Sequence, residues 1–537
     1  MSKKMYDETY INNIALALQT IYGTSDKYYV SQMADAVLNV GVLVDKVIDN
    51  SIVNLKTAVT EIPAYKFYQA ANIESLAAPN VSKIGPHALQ EATKLASVNF
   101  PNLETVDAYA LYKATGLTSL NLPKCKRINT WGIGYITDAL GDTHLSTIKL
   151  SNSAIGENES FIMEESALAE NTGAIMSADS RLRWLDVDDY HFIGLVDAVP
   201  PLQGPTVTVH DSVLYGDDTA RTFDCEEGYI IALSTTGYPL VFKNGEWRAY
   251  VPEKSIIHAG ANCYHSTRIR DVGFRVKQFT NNVNPFNKSR LAFIVVDHDC
   301  NLNANLPLFS SMPDLLGVFY DGGNNTLSDE LPFTELGGAF YQCGNLKHIN
   351  LPNLTKCTDG TFRDSGLVNL TLPKLTTFGK NSNYQGCGGC SNLVYTHLGD
   401  GTGTLFIVGS GHFQNCSSMY ELKLDYTSKV TIDTATNASQ IFSGCPIYQF
   451  LGTTTTEIIE GASAGSVVID GTTVTTTNGN IVSYNGEDYK RVSNKWKKWG
   501  NAQDKHPVIY VPSDQIAAYK ADAKWAVLSP EIWQAIA

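Results

Sequence analysis

Hydrophobic and polar positions between Ile62 and Lys126 follow one pattern, written three times with a fixed offset of 22 residues. Ile62, Ile84 and Val106 are in register, as are Phe67, Leu89 and Leu111, then Ala70, Ala92 and Ala114. Leu76, Val98 and Leu120 follow, each trailed by a proline at Pro79, Pro101 or Pro123. A period in the low twenties predicts a stack in which each repeat contributes one strand and one short helix or turn. The pattern returns less regularly from about residue 301, with good copies at Ala339 to Leu354 and Thr361 to Leu375. Further copies centre on Cys390 and Leu393, on the stretch from Phe413, and on the stretch from Ile441.

The remaining chain reads differently. Ile11, Ile14, Leu18 and Ile21 predict one short helix that ends at Gly23, and Val30, Met33, Ala34 and Val37 predict a second. After Ile128 the next strand-like run, Leu145 to Leu150, arrives six residues late, so Trp131 to Gly141 reads as inserted material. From 156 to 300 the period vanishes. There, Asn244-Gly245 between two strand-like runs, Pro239 to Tyr250, predicts a type I′ hairpin, and Leu291 to Val296 a buried strand. Past 453, Asp470-Gly471, Asn478-Gly479 and Asn485-Gly486 punctuate a β-meander, and Ser513 is the expected N-cap of a closing helix.

The expected fold is therefore an α/β leucine-rich-repeat solenoid in two blocks, 46–155 and 301–452, interrupted by a β-rich insertion, 156–300. A helical anchoring module, 1–45, precedes it, and a β-meander with a helical cap, 453–537, closes it. Stacks of this kind grow in one dimension, which lets 537 residues share one architecture.

Charge removes one function class. With 54 acidic and 40 basic residues the net charge is −14, and no basic tract offers a nucleic-acid footprint. No apolar h-region follows the two lysines of the opening, and no run approaches the ~20 apolar residues of a membrane helix. A chain without a signal peptide and without membrane insertion is the expectation.

Of the ten cysteines, six fall in core slots of the repeat: Cys125, Cys343, Cys357, Cys390, Cys416 and Cys445. Cys387-Gly-Gly-Cys390 has the spacing of half a zinc site but no second half at the right distance. Asp297-His298-Asp299 follows a buried strand and reads as the loop after it, and Glu164-Glu165 as a solvated face. With no G-x-S-x-G, H-E-x-x-H or phosphate-loop motif, the expectation is no enzyme, no metal and no cofactor.

Binding has more to draw on. Ser97, Asn99, Ser119, Asn121, His348, Asn350, Asn369 and Thr371 take outward strand positions and form a polar strip, read as plain solvation. Trp131, Tyr135, Tyr238, Trp247, Tyr250 and Tyr264 fall in the inserted parts and are the candidate ligand-binding residues, about half of them expected to be core.

The A-F-x-x-C-x-x-L-x-x-[IL]-x-L-P pattern resembles the BspA-like leucine-rich repeat family, over about half the chain. That resemblance implies a surface, adhesion or interaction protein without catalytic residues. The opening, with Gly23, Thr24, Ser25, Asp26 and Lys27 before Met33, Ala34, Asp35, Ala36 and Val37, resembles an N-terminal module of tailed-phage structural proteins. Together the two imply a tail-associated phage virion protein of the fibre or receptor-binding type on the virion exterior. It would attach to other virion proteins through its first helices, contact a host-surface glycan or protein, and form a homo-oligomer such as a trimer. A bacterial surface adhesin, an architectural baseplate or capsid decoration protein, and a glycan-degrading enzyme within 156–300 are the alternatives.

Overall fold

Two hydrogen-bond ladders are built from the short strands of each repeat, and together they form a solenoid. The computed structural model describes residues 44–49, 51–135, 145, 147–155, 159–169, 184–187, 190–198, 201–234, 237–252, 256–263, 275–279, 284–300, 308–323, 326–380, 386–450 and 507–536, with the strands between 458 and 498. The helices expected before residue 40 lie outside them. The chain divides into two compact units, Met1–Leu302 with Met312–Ser328, and Asn303–Ser311 with Asp329–Ala537.

In the first unit Glu61–Ile62, Lys83–Ile84, Thr105–Val106 and Arg127–Ile128 pair in parallel, Ile62 on Ile84 on Val106 on Ile128. A second ladder carries Ile52–Leu55, Ser75–Ala77 and Ser97–Asn99 in the same order. Each repeat thus contributes two strands joined at its proline corner. The isoleucine and valine slots are fully buried because the side chains of one column meet inside the coil.

The return arm of each repeat is turn and not helix. Two residues per repeat hold left-handed backbone: Tyr65 and Gln69, His87 and Glu91, Tyr109 and Lys113, Trp131 and Tyr135. L-residues do not build helices through such positions. The backbone groups they free are satisfied by the next repeat. Tyr65 N–H donates to Pro86 O at 3.0 Å, Phe67 N–H to Ala88 O at 2.7 Å, and Gln69 N–H to Gln90 O at 2.8 Å. Among the described residues α-helix is confined to Ser212–Tyr215, Ala438–Ile441, Pro446–Gln449 and Ile516–Ala521, and none is long and apolar enough to cross a membrane.

The first ladder continues through Phe161–Met163, Ile256–Ala259, Arg275–Phe279, Phe293–Val296 and Gly317–Asp321. Four of these strands fall in the stretch read from sequence as insertion, where spacing between copies is too irregular to show a period. What departs from the coil is a sheet of His191–Val196, Tyr229–Leu233, Pro239–Lys243 and Glu246–Ala249. One of its faces packs Phe192, Ile230 and Val241 on Phe293, Val295 and Phe319 of the ladder. Ile193, Ile231 and Leu233 on the other are covered by Val207 and Val209 of the hairpin Thr206–Val209 with Arg221–Asp224. Asn244 and Gly245 both have positive φ, 54° and 78°, the type I′ geometry expected of that dipeptide.

The second unit repeats the scheme. Its ladders run Glu335–Gly337, Lys356–Thr358, Thr377–Phe378, Phe406–Ile407, Thr431–Ile432 and Asn369–Leu372, Tyr395–Gly399, Glu421–Asp425, Val508–Val511, Trp533–Ala535. The last two strands close the stack. Tyr519, Trp525 and Trp533 are buried there, and Tyr519 Oη accepts from Val430 N–H at 2.8 Å. Ser513 does not cap a helix by its side chain: it opens a 3₁₀ turn, Ser513–Gln515, and the helix follows at Ile516. Between 458 and 498 the strands pair antiparallel, and Asp470-Gly471 and Asn485-Gly486 separate paired strands.

Candidate functional site

The left-handed positions of the first unit carry large side chains. Tyr65, His87, Tyr109 and Trp131 hold φ of 60°, 56°, 56° and 55°, one per repeat at the same slot. Bulky residues rarely adopt this conformation, which costs roughly 1–2 kcal/mol each. Glycine is the natural occupant. The second unit uses it: Gly338, Gly360 and Gly411, with φ of 66°, 69° and 74°, stand two residues before Phe340, Phe362 and Phe413, as Tyr65 and His87 stand two before Phe67 and Leu89. The coil therefore does not require aromatic rings at this slot.

Stacked at the repeat spacing, the rings form a row on the turn edge. Tyr65 lies on His87 with centroids 4.7 Å apart and planes 9° apart, and His87 on Tyr109 at 5.1 Å and 3°. Beyond them the arrangement turns edge-on. Tyr112 meets Tyr109 at 5.3 Å and 75° and Trp131 at 5.7 Å and 84°, with Tyr135 tilted against it at 5.9 Å. The Lys113 ammonium sits 5.3 Å and 5.5 Å from the Tyr112 and Tyr135 centroids, in cation–π range.

A polar flank runs beside the rings. His87 Nδ1 faces Gln90 Oε1 at 2.5 Å, Gln90 Nε2 donates to Glu91 Oε1 at 3.2 Å, and Gln69 Nε2 donates to Glu91 Oε2 at 2.8 Å. The amide donors of Gln69 and Gln90 hold the Glu91 carboxyl below the usual carboxylate range, and partial burial raises the Tyr112 phenol. Tyr65 is 52% and Tyr135 40% exposed, so the row ends in open aromatic surface. Rings, amides and one carboxylate, fixed by stacking and hydrogen bonds, line this edge of the coil.

Trp131 and Tyr135, singled out from sequence, belong to this row. They are not inserted loop: they occupy the regular left-handed slots of the fourth repeat, and only the chain after Tyr135 departs from the period. Tyr65, His87, Tyr109 and Tyr112 escaped the sequence reading, although the 22-residue offset that Tyr65, His87 and Tyr109 share with Trp131 was an available signal. The other candidates serve the appended sheet. Tyr250 is 1% exposed and edge-on to Tyr190 and Phe293, so it offers no surface to a ligand. Tyr238 packs against Phe319, and Trp247 against Phe242 with Nε1 donating to Gly204 O at 3.0 Å. Tyr264 lies outside the described residues.

Cys387 and Cys390 occupy neighbouring core slots. Cys387 N–H donates to His412 O just as Phe362 N–H donates to Gly386 O, which places Cys387 in the slot of Phe340, Phe362 and Phe413. Cys390 Sγ donates to Phe362 O at 2.8 Å, as Cys343 Sγ donates to Phe309 O at 2.9 Å. Burial pushes the Cys390 thiol up to about 11 and that of Cys387 well above its ordinary value, which disfavours the thiolate a metal would need.

Asp297, His298 and Asp299 do converge, with ligand atoms within 4.8 Å of one another. The Asp297 carboxylate is already engaged by Arg275 Nε at 3.4 Å and by the Asp299 N–H at 2.9 Å. The two His298 nitrogens each face one of the carboxylates, at 3.6 Å from Asp297 Oδ1 and 3.4 Å from Asp299 Oδ2, and His298 and Asp299 are exposed. Ser97, Asn99, Ser119 and Asn121 point to solvent as the polar strip required.

The BspA type leucine-rich repeat region family matches residues 48–164 and 337–463, in six copies. Similar solved structures include a leucine-rich repeat protein from Bacteroides ovatus, 13% identical over 71% of this chain and 76% of that one, TM-score 0.26. A leucine rich cell surface protein from Faecalibacterium prausnitzii is 12% identical over 74% and 91%, TM-score 0.28. A leucine-rich repeat protein from Eubacterium ventriosum is 12% identical over 74% and 91%, TM-score 0.23. No curated protein matches the chain.

Proposed function

We propose that this chain, which carries BspA-type leucine-rich repeats, is a non-enzymatic adhesin that meets an extracellular partner with the aromatic row of its first unit. One observation carries the reading. Tyr65, His87, Tyr109 and Trp131 hold a strained conformation at a slot that Gly338, Gly360 and Gly411 fill without strain. A cost of this kind, repeated four times at a slot where Gly338, Gly360 and Gly411 stand in the second unit, is accounted for by what the rings contact. The labelled full-length chain should be retained on bacterial cells or on host mucosal matrix with a saturable isotherm. Lack of saturable retention on every such surface sinks the reading.

A second reading rests on the opening residues Gly23 to Lys27 and Met33 to Val37. It is a trimeric protein on the exterior of a phage virion, attached through residues 1–45 to other virion proteins and presenting the same row to the host. Antibody-gold labelling of purified particles distinguishes the two, since bare particles leave only the adhesin.

A further inference from the structure

The chemistry of the row narrows its ligand. We infer that it binds a neutral oligosaccharide, an inference that rests on the binding reading above and specifies its partner. Among the described residues the exposed large hydrophobic side chains are Tyr65, Tyr135 and Phe406, so the row offers aromatic surface with hydroxyl tips and no aliphatic patch. A stable protein interface needs about 800 Å² per partner around an apolar centre, and an edge one ring wide supplies no such centre.

A sugar chain matches this edge. Both faces of His87 are covered, by Tyr65 at 4.7 Å and Tyr109 at 5.1 Å, so His87 positions its neighbours and open ring surface is left at the two ends. The C–H-bearing face of a pyranose is attracted to an aromatic face through the ring's negative quadrupole. Between the ends, Gln69, Gln90 and Glu91 form a connected strip of amide and carboxylate groups suited to sugar hydroxyls. Glu91 and Lys113 bring one charge of each sign, which gives an acidic sugar no net attraction. Four rungs at the sheet spacing of about 4.8 Å span roughly 14 Å, the length of a short oligosaccharide.

The test is affinity electrophoresis of the full-length chain through gels containing neutral polysaccharides (β-glucan, xylan, mannan) or an acidic one (polygalacturonate). Tyr65→Gly/Tyr135→Gly is the informative variant, because glycine relieves the left-handed strain and the coil tolerates it in the second unit. Retardation by a neutral polysaccharide, weakened at least tenfold in the variant at an unchanged melting temperature, is the expected result. Retardation by the acidic gel alone, or neutral retardation that the variant keeps, overturns the inference. If no gel retards the chain while cell-surface retention is present and lost in the variant, the sugar is wrong and the adhesin reading stands. If the chain binds neither gel nor surface, both fall.

Discussion

Replacing the buried Arg275 with leucine should strongly destabilise the first unit. Arg275, Asp297 and Asp321 come from three neighbouring strands, with side chains 8%, 1% and 0% exposed. One guanidinium serves two carboxylates: its Nη1 bonds Asp321 Oδ2, and its Nε faces Asp297 Oδ2 at 3.4 Å. The other oxygens accept backbone donors, Asp321 Oδ1 from Gly323 N–H at 3.2 Å and Asp297 Oδ1 from Asp299 N–H. Breaking a buried pair by removing one partner costs about 3–5 kcal/mol, because the remaining charge stays buried without compensation. Here two charges remain, which points to the upper end of that range. At ~2–4 °C per kcal/mol for a large domain, the first unit should melt roughly 10 °C or more lower. Tryptophan fluorescence and calorimetry on the full chain measure it. Adding Asp297→Asn and Asp321→Asn to Arg275→Leu should recover a large part of the loss, because carboxamides carry no charge to leave unpaired. A loss below ~1 kcal/mol for Arg275→Leu, or no recovery in the triple variant, refutes the reasoning.

Other expectations are narrower. A Cβ at Gly366 would lie 2.0 Å from Gly344 O, whereas one at Gly344 would meet nothing within 4 Å. Gly366→Ala should therefore cost ~2 kcal/mol or more and Gly344→Ala little, in urea unfolding. Nine of the ten cysteines are buried and Cys300 is half-buried, so alkylation at pH 8 followed by mass spectrometry should label the native chain at no more than Cys300 among them. His210 lies between Asp218 at 2.8 Å and Asp197 at 3.2 Å. Burial opposes its protonation, but the two carboxylates outweigh this and raise its pKa. The stability it contributes is thus fully present below the unfolded value of ~6.5 and fades as pH rises through the folded value. His210→Gln should cost below ~1 kcal/mol at pH 5.5, since both carboxylates are largely exposed, and nothing at pH 9, by urea unfolding across pH. Tyr109→Ala removes one stacked and one edge-on partner, a loss of ~1–3 kcal/mol in the same assay.

The 22-residue period by itself settled that the chain stacks, which side chains share a column, and that Cys343, Cys390, Cys416 and Cys445 fill a small core slot. Outside the repeats, the Asn244-Gly245 dipeptide settled its own hairpin, because a type I′ turn is a local property of two residues. Tertiary structure decided the rest. The same offset aligns Tyr65, His87, Tyr109 and Trp131, but whether that column faces the core or the solvent depends on backbone hydrogen bonds from each repeat to the next, which hold those residues left-handed. Cys387 looks like a metal ligand by spacing and becomes a core residue only when its N–H is seen to follow the register of Phe362. Ile256–Ala259, Arg275–Phe279 and Phe293–Val296 join the ladder at irregular intervals that no period predicts. Tyr238, Trp247 and Tyr250 read as available aromatics until the partners that cover them are in place. A periodic pattern names the column a residue stands in; the neighbours that bury it or leave it open are brought together only by folding.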